Sequence, residues 1–454
     1  MINRKLDLYI EHHFETSKTA LLLKGARQTG KTFAIRKFAM HHKYNLIEIN
    51  FDEDASAKNI FAESASARDV LLRISAHTNK KTSLPKTLIF LDEIQKCPQA
   101  LTWIKFLVDE GSCSYALSGS LLGVELNDVE SYPVGYLTIK EVFPLDLEEF
   151  ARALGLQDNV FEAIKMAWEQ LTPVDDVVHK AMIKMVQLYL VVGGMPAAVQ
   201  AYLDTNDLNI VEERQRDVLK LYRLDISKYD PAQKFEIDEI FRLLPSELDS
   251  KNKRFILKKL NEHARFSRYE NGFIWLKNAG VAIPVYNITE PVIPLKLNQQ
   301  RNLLKLFQND VGLLACQYAS GLQIKLLSGD ININYGAIYE NLVAQELNCH
   351  GFGGDEHELY YYNNKKQGEL DFIIEYEGRV LPIEVKSGKD YERHNALCNV
   401  LGNAGYGIIN AYVLCNGNVE VNGNRVYLPI YMLMFLNKFP TAKEQIFHLD
   451  LSSL

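Results

Sequence analysis

Gly25-Ala26-Arg27-Gln28-Thr29-Gly30-Lys31-Thr32 decides how the first third of this chain folds. The stretch has the spacing G-x-x-x-x-G-K-[ST] and occurs once in 454 residues. It lies between a short apolar run, Ala20-Leu21-Leu22-Leu23, and a segment carrying Phe33, Ala34, Ile35, Phe38 and Ala39 at helical spacing. It therefore reads as the loop of a strand–loop–helix unit. Glycines let such a loop wrap around a phosphate with its N–H groups pointing inward, and the following helix adds the positive end of its dipole. Gly25, Ala26, Arg27, Gln28, Thr29, Gly30, Lys31 and Thr32 are the candidate nucleotide-binding residues. Lys31 is placed to meet the β- and γ-phosphates and Thr32 to meet Mg²⁺, so ATP and Mg²⁺ are the expected ligands.

Working outward, Leu46-Ile47-Glu48-Ile49-Asn50-Phe51 alternates like a strand, and Leu88-Ile89-Phe90-Leu91 is continuously apolar, as a central parallel strand is. That second run ends in Asp92-Glu93. Asp92 is the candidate Mg²⁺ partner of a Walker B strand. Glu93, one step on, is the candidate catalytic carboxylate that orients and polarises water. A base beside the γ-phosphate would waste ATP in a small-molecule kinase, so Glu93 argues for hydrolysis. Tyr115-Ala116-Leu117-Ser118 reads as a further strand ending in Ser118-Gly119-Ser120, which offers Ser118 as a hydroxyl contact to the γ-phosphate or to water. Strand–helix alternation through residue 144 implies a parallel sheet covered on both faces.

The pattern turns helical over 145–225, with Gly193-Gly194-Met195-Pro196 as a turn between helices. Residues 226–300 read as short helices followed by a hairpin-like end, Trp275 to Pro294. Within them, 251–268 holds Lys251, Lys253, Arg254, Lys258, Lys259, Arg265 and Arg268 against one acid, Glu262. Ile256, Leu257 and Leu260 suggest a helical apolar face there. Such a patch suits phosphate contact with DNA or RNA, although most charge runs are solvated helix faces. From about 301 to 454 strands return, clearest at Tyr360-Tyr361-Tyr362, Leu370 to Tyr376 and Val380 to Val385. Here Asp371, Glu384 and Lys386 have the spacing D-x12-E-x-K. In a hairpin the two acids can converge, and Glu384 and Lys386 share one side of a strand. Two carboxylates and a lysine at one point can bind Mg²⁺ and activate water. The plain alternative is a structural hairpin with a surface Glu–Lys pair.

A net charge of -7 excludes a polycation, so any nucleic-acid surface is local. Six cysteines with no Cys-x-x-Cys pair argue against a structural zinc site or a disulfide framework. The N-terminal residues lack the apolar stretch of a signal peptide. The longest apolar runs, such as Val186 to Val192 and Leu428 to Leu436, fall short of the ~20 residues a spanning helix needs. A cytoplasmic protein with no membrane contact is expected.

Nearly the whole chain resembles a prokaryotic AAA+ ATPase family with a C-terminal winged-helix plus PD-(D/E)xK nuclease-like domain of uncharacterised function. The carrying phrases are GARQTGKT at 25–32, LIFLDEIQ at 88–95, LSGS at 117–120, VFPLDLEEF at 142–150, YLVVGGMP at 189–196, WLKNAGV at 275–281, VGLLA at 311–315, GAIYENLVAQEL at 336–347 and the GELDFII…PIEVKSG pair at 368–388. The resemblance implies an α/β architecture in four parts. These are a P-loop, RecA-like AAA+ core at 1–144, a helical lid at 145–225, a winged-helix-like domain at 226–300 and a restriction-endonuclease-like α/β domain at 301–454. It implies a further carboxylate from an earlier helix in the C-terminal metal site, with Glu340 the better match and Glu346 the second. The metal set expected overall is Thr32, Asp92, Asp371, Glu384 and Glu340. The resemblance thus points to an ATPase acting on nucleic acid, as an ATP-gated endonuclease. The alternative is an NTPase switch whose C-terminal half binds a protein partner and cuts nothing. Homo-oligomers are common in AAA+ proteins. One position departs from the family pattern: Tyr136 follows Pro133-Val134-Gly135 where members often carry a basic residue, which leaves open which arginine meets the γ-phosphate.

Overall fold

The computed structural model describes residues 2–120, 133–228, 233–250, 253–260, 262, 265–318, 321–328, 336–354, 357–388 and 392–438. Lys251, the first charge of the basic run, lies outside them.

The first part is a five-stranded sheet of β1 (Ala20–Lys24), β2 (Asn45–Asn50), β3 (Thr87–Asp92), β4 (Ser114–Gly119) and β5 (Leu137–Glu141), in the order β2-β3-β4-β1-β5. Every pairing in it is parallel. The helices around it are α1 (Lys5–Thr16), α2 (Lys31–His41), α3 (Lys58–Ala62), α4 (Ala67–Thr78) and α5 (Pro98–Glu110). Alternate side chains of each strand enter opposite cores. Leu22, Ile47, Ile89, Leu91 and Leu117 pack on one face, and Leu21, Leu23, Leu88, Phe90 and Ala116 on the other. Burial on both faces is why β3 reads as an unbroken apolar run.

Helices follow: α6 (Leu147–Ala153), α7 (Asp158–Gln170), α8 (Asp176–Val192), α9 (Pro196–Thr205), α10 (Leu208–Lys228), α11 (Lys234–Asp249) and α12 (Phe266–Asn278). The α8–α9 turn is shaped by close approach: a Cβ on Gly194 would lie 2.0 Å from the Leu145 carbonyl oxygen. Leu145 N–H bonds back to Gly194 O at 2.7 Å, and Asp310 accepts from Gly194 N–H at 2.6 Å.

The remainder comprises β6 (Ala282–Ile288), β7 (Gln299–Gln308), α13 (Val311–Ala315), α14 (Leu322–Ser328), α15 (Gly336–Cys349), β8 (Leu359–Asn364), β9 (Gly368–Tyr376), β10 (Arg379–Val385), α16 (Asn395–Leu401), β11 (Ala411–Cys415), β12 (Glu420–Asn422) and β13 (Arg425–Pro429). Its mixed sheet has the order β12-β13-β11-β10-β9-β8-β6-β7.

Three expectations are corrected here. Trp275 is buried in α12 and does not start a hairpin; the hairpin is β6–β7. That hairpin pairs with β8, so a boundary at 300 cuts through a strand of the C-terminal sheet. Third, the basic run is not a helix. Among its described residues a 3-10 turn forms at Leu257–Lys259 and the end of the run enters α12 at Phe266; before the turn the backbone bonds outward, Phe255 N–H to Leu304 O at 2.9 Å and Ile256 N–H to Glu247 Oε2 at 2.8 Å. One continuous hydrophobic core joins α6 to α12 with the C-terminal sheet. No single described helix is long and apolar enough to cross a membrane.

Candidate functional site

The carboxyl ends of β1, β3 and β4 bring Gly25–Thr32, Asp92–Glu93 and Ser118–Ser120 together, where open parallel sheets place their ligands. Gly25 is required, since a Cβ there would lie 2.2 Å from Val142 O. Gln28 (φ 67°) and Gly30 (φ 92°) turn the loop through left-handed conformations before α2 begins at Lys31. Lys31 is buried, and its ammonium donates to Gly25 O at 2.9 Å and Ala26 O at 2.7 Å. Burial lowers it to about 8, against the pull of Glu93 and Asp92.

Thr32 Oγ1 donates to Asp92 Oδ2 at 3.0 Å, and the Ser118 hydroxyl donates to Asp92 Oδ1. Burial pushes the Asp92 carboxyl up, and those two hydroxyl bonds oppose it. Glu93 sits at φ 54°, a costly backbone region for a non-glycine residue. Its Oε2 accepts from Gln95 Nε2 at 2.5 Å and from Ser120 Oγ at 3.3 Å. A cavity of about 500 Å³ opens over Lys31, Thr32 and Glu93 and is lined as well by Pro196 and Gln200 of α9. The neighbouring Thr32 hydroxyl and Asp92 carboxylate form the oxygen pair that Mg²⁺ prefers, so the metal fits here.

Three residues escape a sequence reading. Arg4 reaches the loop from the N-terminus, donating to Thr29 O at 2.9 Å, to Phe143 O at 3.0 Å and to Glu149 Oε2 at 3.0 Å. Asp225 on α10 pairs with Arg27, Nε to Oδ2 at 2.6 Å. The third is Lys305 on β7. The Arg27–Asp225 pairing turns the guanidinium toward α10. Tyr136 sits under the Lys105 ammonium, 5.6 Å from its ring centroid, and its carbonyl accepts from Ala20 N–H at 2.9 Å.

In the basic segment Lys259 pairs with Glu247 at 2.5 Å, Arg268 with Glu236 at 2.6 Å, and Lys253 with Glu340. Arg254, Lys258 and Arg265 are exposed.

The C-terminal constellation is assembled at the β9–β10 hairpin. Asp371 Oδ2 accepts from Val385 N–H at 2.8 Å, and Lys386 Nζ meets Glu384 Oε1 at 2.6 Å. Glu340 on α15 joins the acids through Lys305 on β7, whose Nζ lies 3.5 Å from Glu340 Oε2, 2.7 Å from Glu369 Oε1 and 3.9 Å from Asp371 Oδ1. Burial, with Glu340 and Glu384 nearby, raises the Asp371 carboxyl well above the usual range. Burial also raises Glu384, against Lys386. At Glu340 the attraction of Lys305 and Lys253 outweighs burial and holds the carboxyl low. Glu346 stands elsewhere, capping α6 through Leu147 N–H to Oε1 at 3.0 Å.

Residues 17–151 match the AAA domain family, residues 183–324 a domain of unknown function (DUF8612) and residues 335–433 a domain of unknown function (DUF4143). No curated protein matches. Among solved structures, the Walker-type ATPase of Pyrococcus abyssi is similar at 14% identity and TM-score 0.42, over 70% of this chain and 96% of that one. The Aeropyrum pernix ORC1 protein, solved in complex with DNA, is similar at 14% identity and TM-score 0.27, over 73% of this chain and 93% of that one. The nucleotide loop thus lies within the part of the chain, residues 17–151, that matches the AAA domain.

Proposed function

We propose that this chain is a Mg²⁺-dependent ATPase whose hydrolysis cycle works on its helical and C-terminal parts to act on nucleic acid. The observation that carries hydrolysis is the placement of two acids in different roles. Asp92 is tied to Thr32 and Ser118, whereas Glu93 lines the cavity over Lys31 and Thr32, where its carboxylate accepts from Gln95 and Ser120. Thr32 and Asp92 would hold Mg²⁺, which neutralises phosphate charge when bound. Lys31 exchanges the loop carbonyls for phosphate oxygens. Glu93 accepts a hydrogen bond from water and raises its nucleophilicity. Ser118 keeps Asp92 in place.

Motion has a route outward. Arg27 in the loop is bonded to Asp225 on α10, and the turn at Gly280 lies so near that a Cβ there would come within 3.1 Å of Ala26 N. A loop that changes shape on binding phosphate therefore pulls directly on α10 and on the α12–β6 turn. Arg254, Lys258 and Arg265 are the side chains offered to nucleic-acid phosphates. A specific observation favours a second reading, a switch that engages a protein partner: three of the basic residues, Lys253, Lys259 and Arg268, are neutralised within the fold.

ATP turnover of the purified chain, measured with and without DNA across a salt series, tests the reading. Stimulation that falls steeply with salt is expected, with Lys31→Ala at background. A wild-type rate in Lys31→Ala overturns the ATPase assignment. Turnover indifferent to any nucleic acid overturns the nucleic-acid role and leaves the protein-partner switch.

A further inference from the structure

The nuclease-like spacing of Asp371, Glu384 and Lys386 implies a divalent metal shared with Glu340. The residues present do not fit one. Lys305 has no exposed surface, and its ammonium stands among the carboxylates of Glu340, Glu369 and Asp371. We propose that Lys305 occupies the position a divalent cation would take, so that the C-terminal acidic cluster is a lysine-neutralised ion-pair network and not a metal-dependent hydrolytic centre.

Most of the oxygens are already engaged. Glu340 gives one oxygen to Lys253 and the other to Lys305. Asp371 Oδ2 takes the Val385 N–H, and Glu384 Oε1 takes Lys386. Among the described residues of the cluster, Glu384 Oε2 is a buried carboxylate oxygen without a hydrogen bond and Asp371 Oδ1 has the 3.9 Å contact to Lys305, so Mg²⁺ would have to displace an ammonium to gather the oxygens it requires. Charge points the same way. Four carboxylates (Glu340, Glu369, Asp371, Glu384) face three ammoniums (Lys253, Lys305, Lys386). A divalent ion would turn this near balance into a cationic excess in a site where little water is available to screen it. Nor can Lys305 swing away cheaply. It lies within β7, opposite Val285 in the β6 register, next to Leu304, whose carbonyl is bonded by Phe255 N–H, and its ammonium is 5.0 Å from the Tyr361 ring centroid. No trio of His, Cys, Asp or Glu among the described residues is arranged to hold a metal ion. The network instead ties β7, α15, β9 and β10 together, with Lys253 drawing in the segment after α11.

Binding of Mn²⁺, followed by electron paramagnetic resonance on the full chain without nucleotide, tests this. All variants carry Asp92→Asn to remove the N-terminal metal ligand. The expected result is that adding Asp371→Asn leaves Mn²⁺ binding unchanged, because the cluster holds none. Lys305→Met is expected to gain one Mn²⁺ per chain, which a further Asp371→Asn abolishes. Stoichiometric Mn²⁺ in the Lys305 protein that disappears with Asp371→Asn overturns the proposal. So does a folded Lys305→Met protein that gains no Mn²⁺. If Lys305→Met does not fold, the first comparison decides alone.

Discussion

Glu93 and Lys31 show what single residues contribute to this site. Glu93 ends a fully buried strand in a left-handed conformation, and that backbone turn separates its carboxylate from that of Asp92 although the two are adjacent in sequence. Lys31, buried against its own loop, has its proton loosened to about 8. Only the charged form attracts phosphate, and bound phosphate in turn stabilises the charge. ATP affinity should therefore be nearly constant below about pH 8 and fall by about tenfold per pH unit above it. Calorimetric titration across that range checks this, and a flat profile through pH 9.5 contradicts it. The same burial makes the neutral lysine the folded form between the folded and unfolded values, so this group's unfavourable effect on stability is present at neutral pH and fades as pH rises. Most of the nucleotide site is legible in the sequence because its parts are short contiguous motifs on strand ends. Arg4 and Asp225 are not, because each meets the loop from far along the chain and neither has a distinctive neighbourhood. Lys305 left a trace: one lysine inside Leu303-Leu304-Lys305-Leu306-Phe307, a strand end otherwise apolar.

At the scale of elements, the strands of the first sheet are readable because burial on both faces leaves unbroken apolar runs. Of the hairpin β6–β7 only the first strand lies inside the stretch that reads as hairpin-like, and its membership of the C-terminal sheet depends on pairing with β8, some seventy residues away in sequence, which local patterning does not carry. The basic run misleads for a related reason. Its apolar residues recur at helical spacing, yet its backbone bonds go to β7 and Glu247. The α8–α9 turn makes a prediction at this scale. Gly194→Ala puts a methyl group 2.0 Å from Leu145 O, and the backbone on both sides is hydrogen-bonded in place. A loss of roughly 1–3 kcal/mol is expected for such overpacking, read as a lower urea midpoint with an unchanged slope. An unchanged midpoint would mean that the turn relaxes freely.

Across the described residues, the first sheet has its own two cores, and the helices from α6 and the C-terminal sheet share another, which Ala26 of the loop also enters. Several contacts bridge these bodies at the nucleotide loop: Arg27 with Asp225, Ala26 with the Gly280 turn, and Arg4, which donates both to Thr29 O and to Glu149 of α6. Under the proposed function a change at the loop is passed to the second body through these contacts, which makes hydrolysis the step on which the rest depends. The most direct measurement is ATP turnover in Glu93→Gln, set beside its ATP affinity. Glutamine keeps the size and accepts a weaker hydrogen bond, while Lys31, Thr32 and Asp92 are untouched. The account predicts affinity within a fewfold of wild type and turnover lower by about 10²–10⁴-fold. Turnover equal to wild type would contradict it, since the carboxylate would then have no part in activating water.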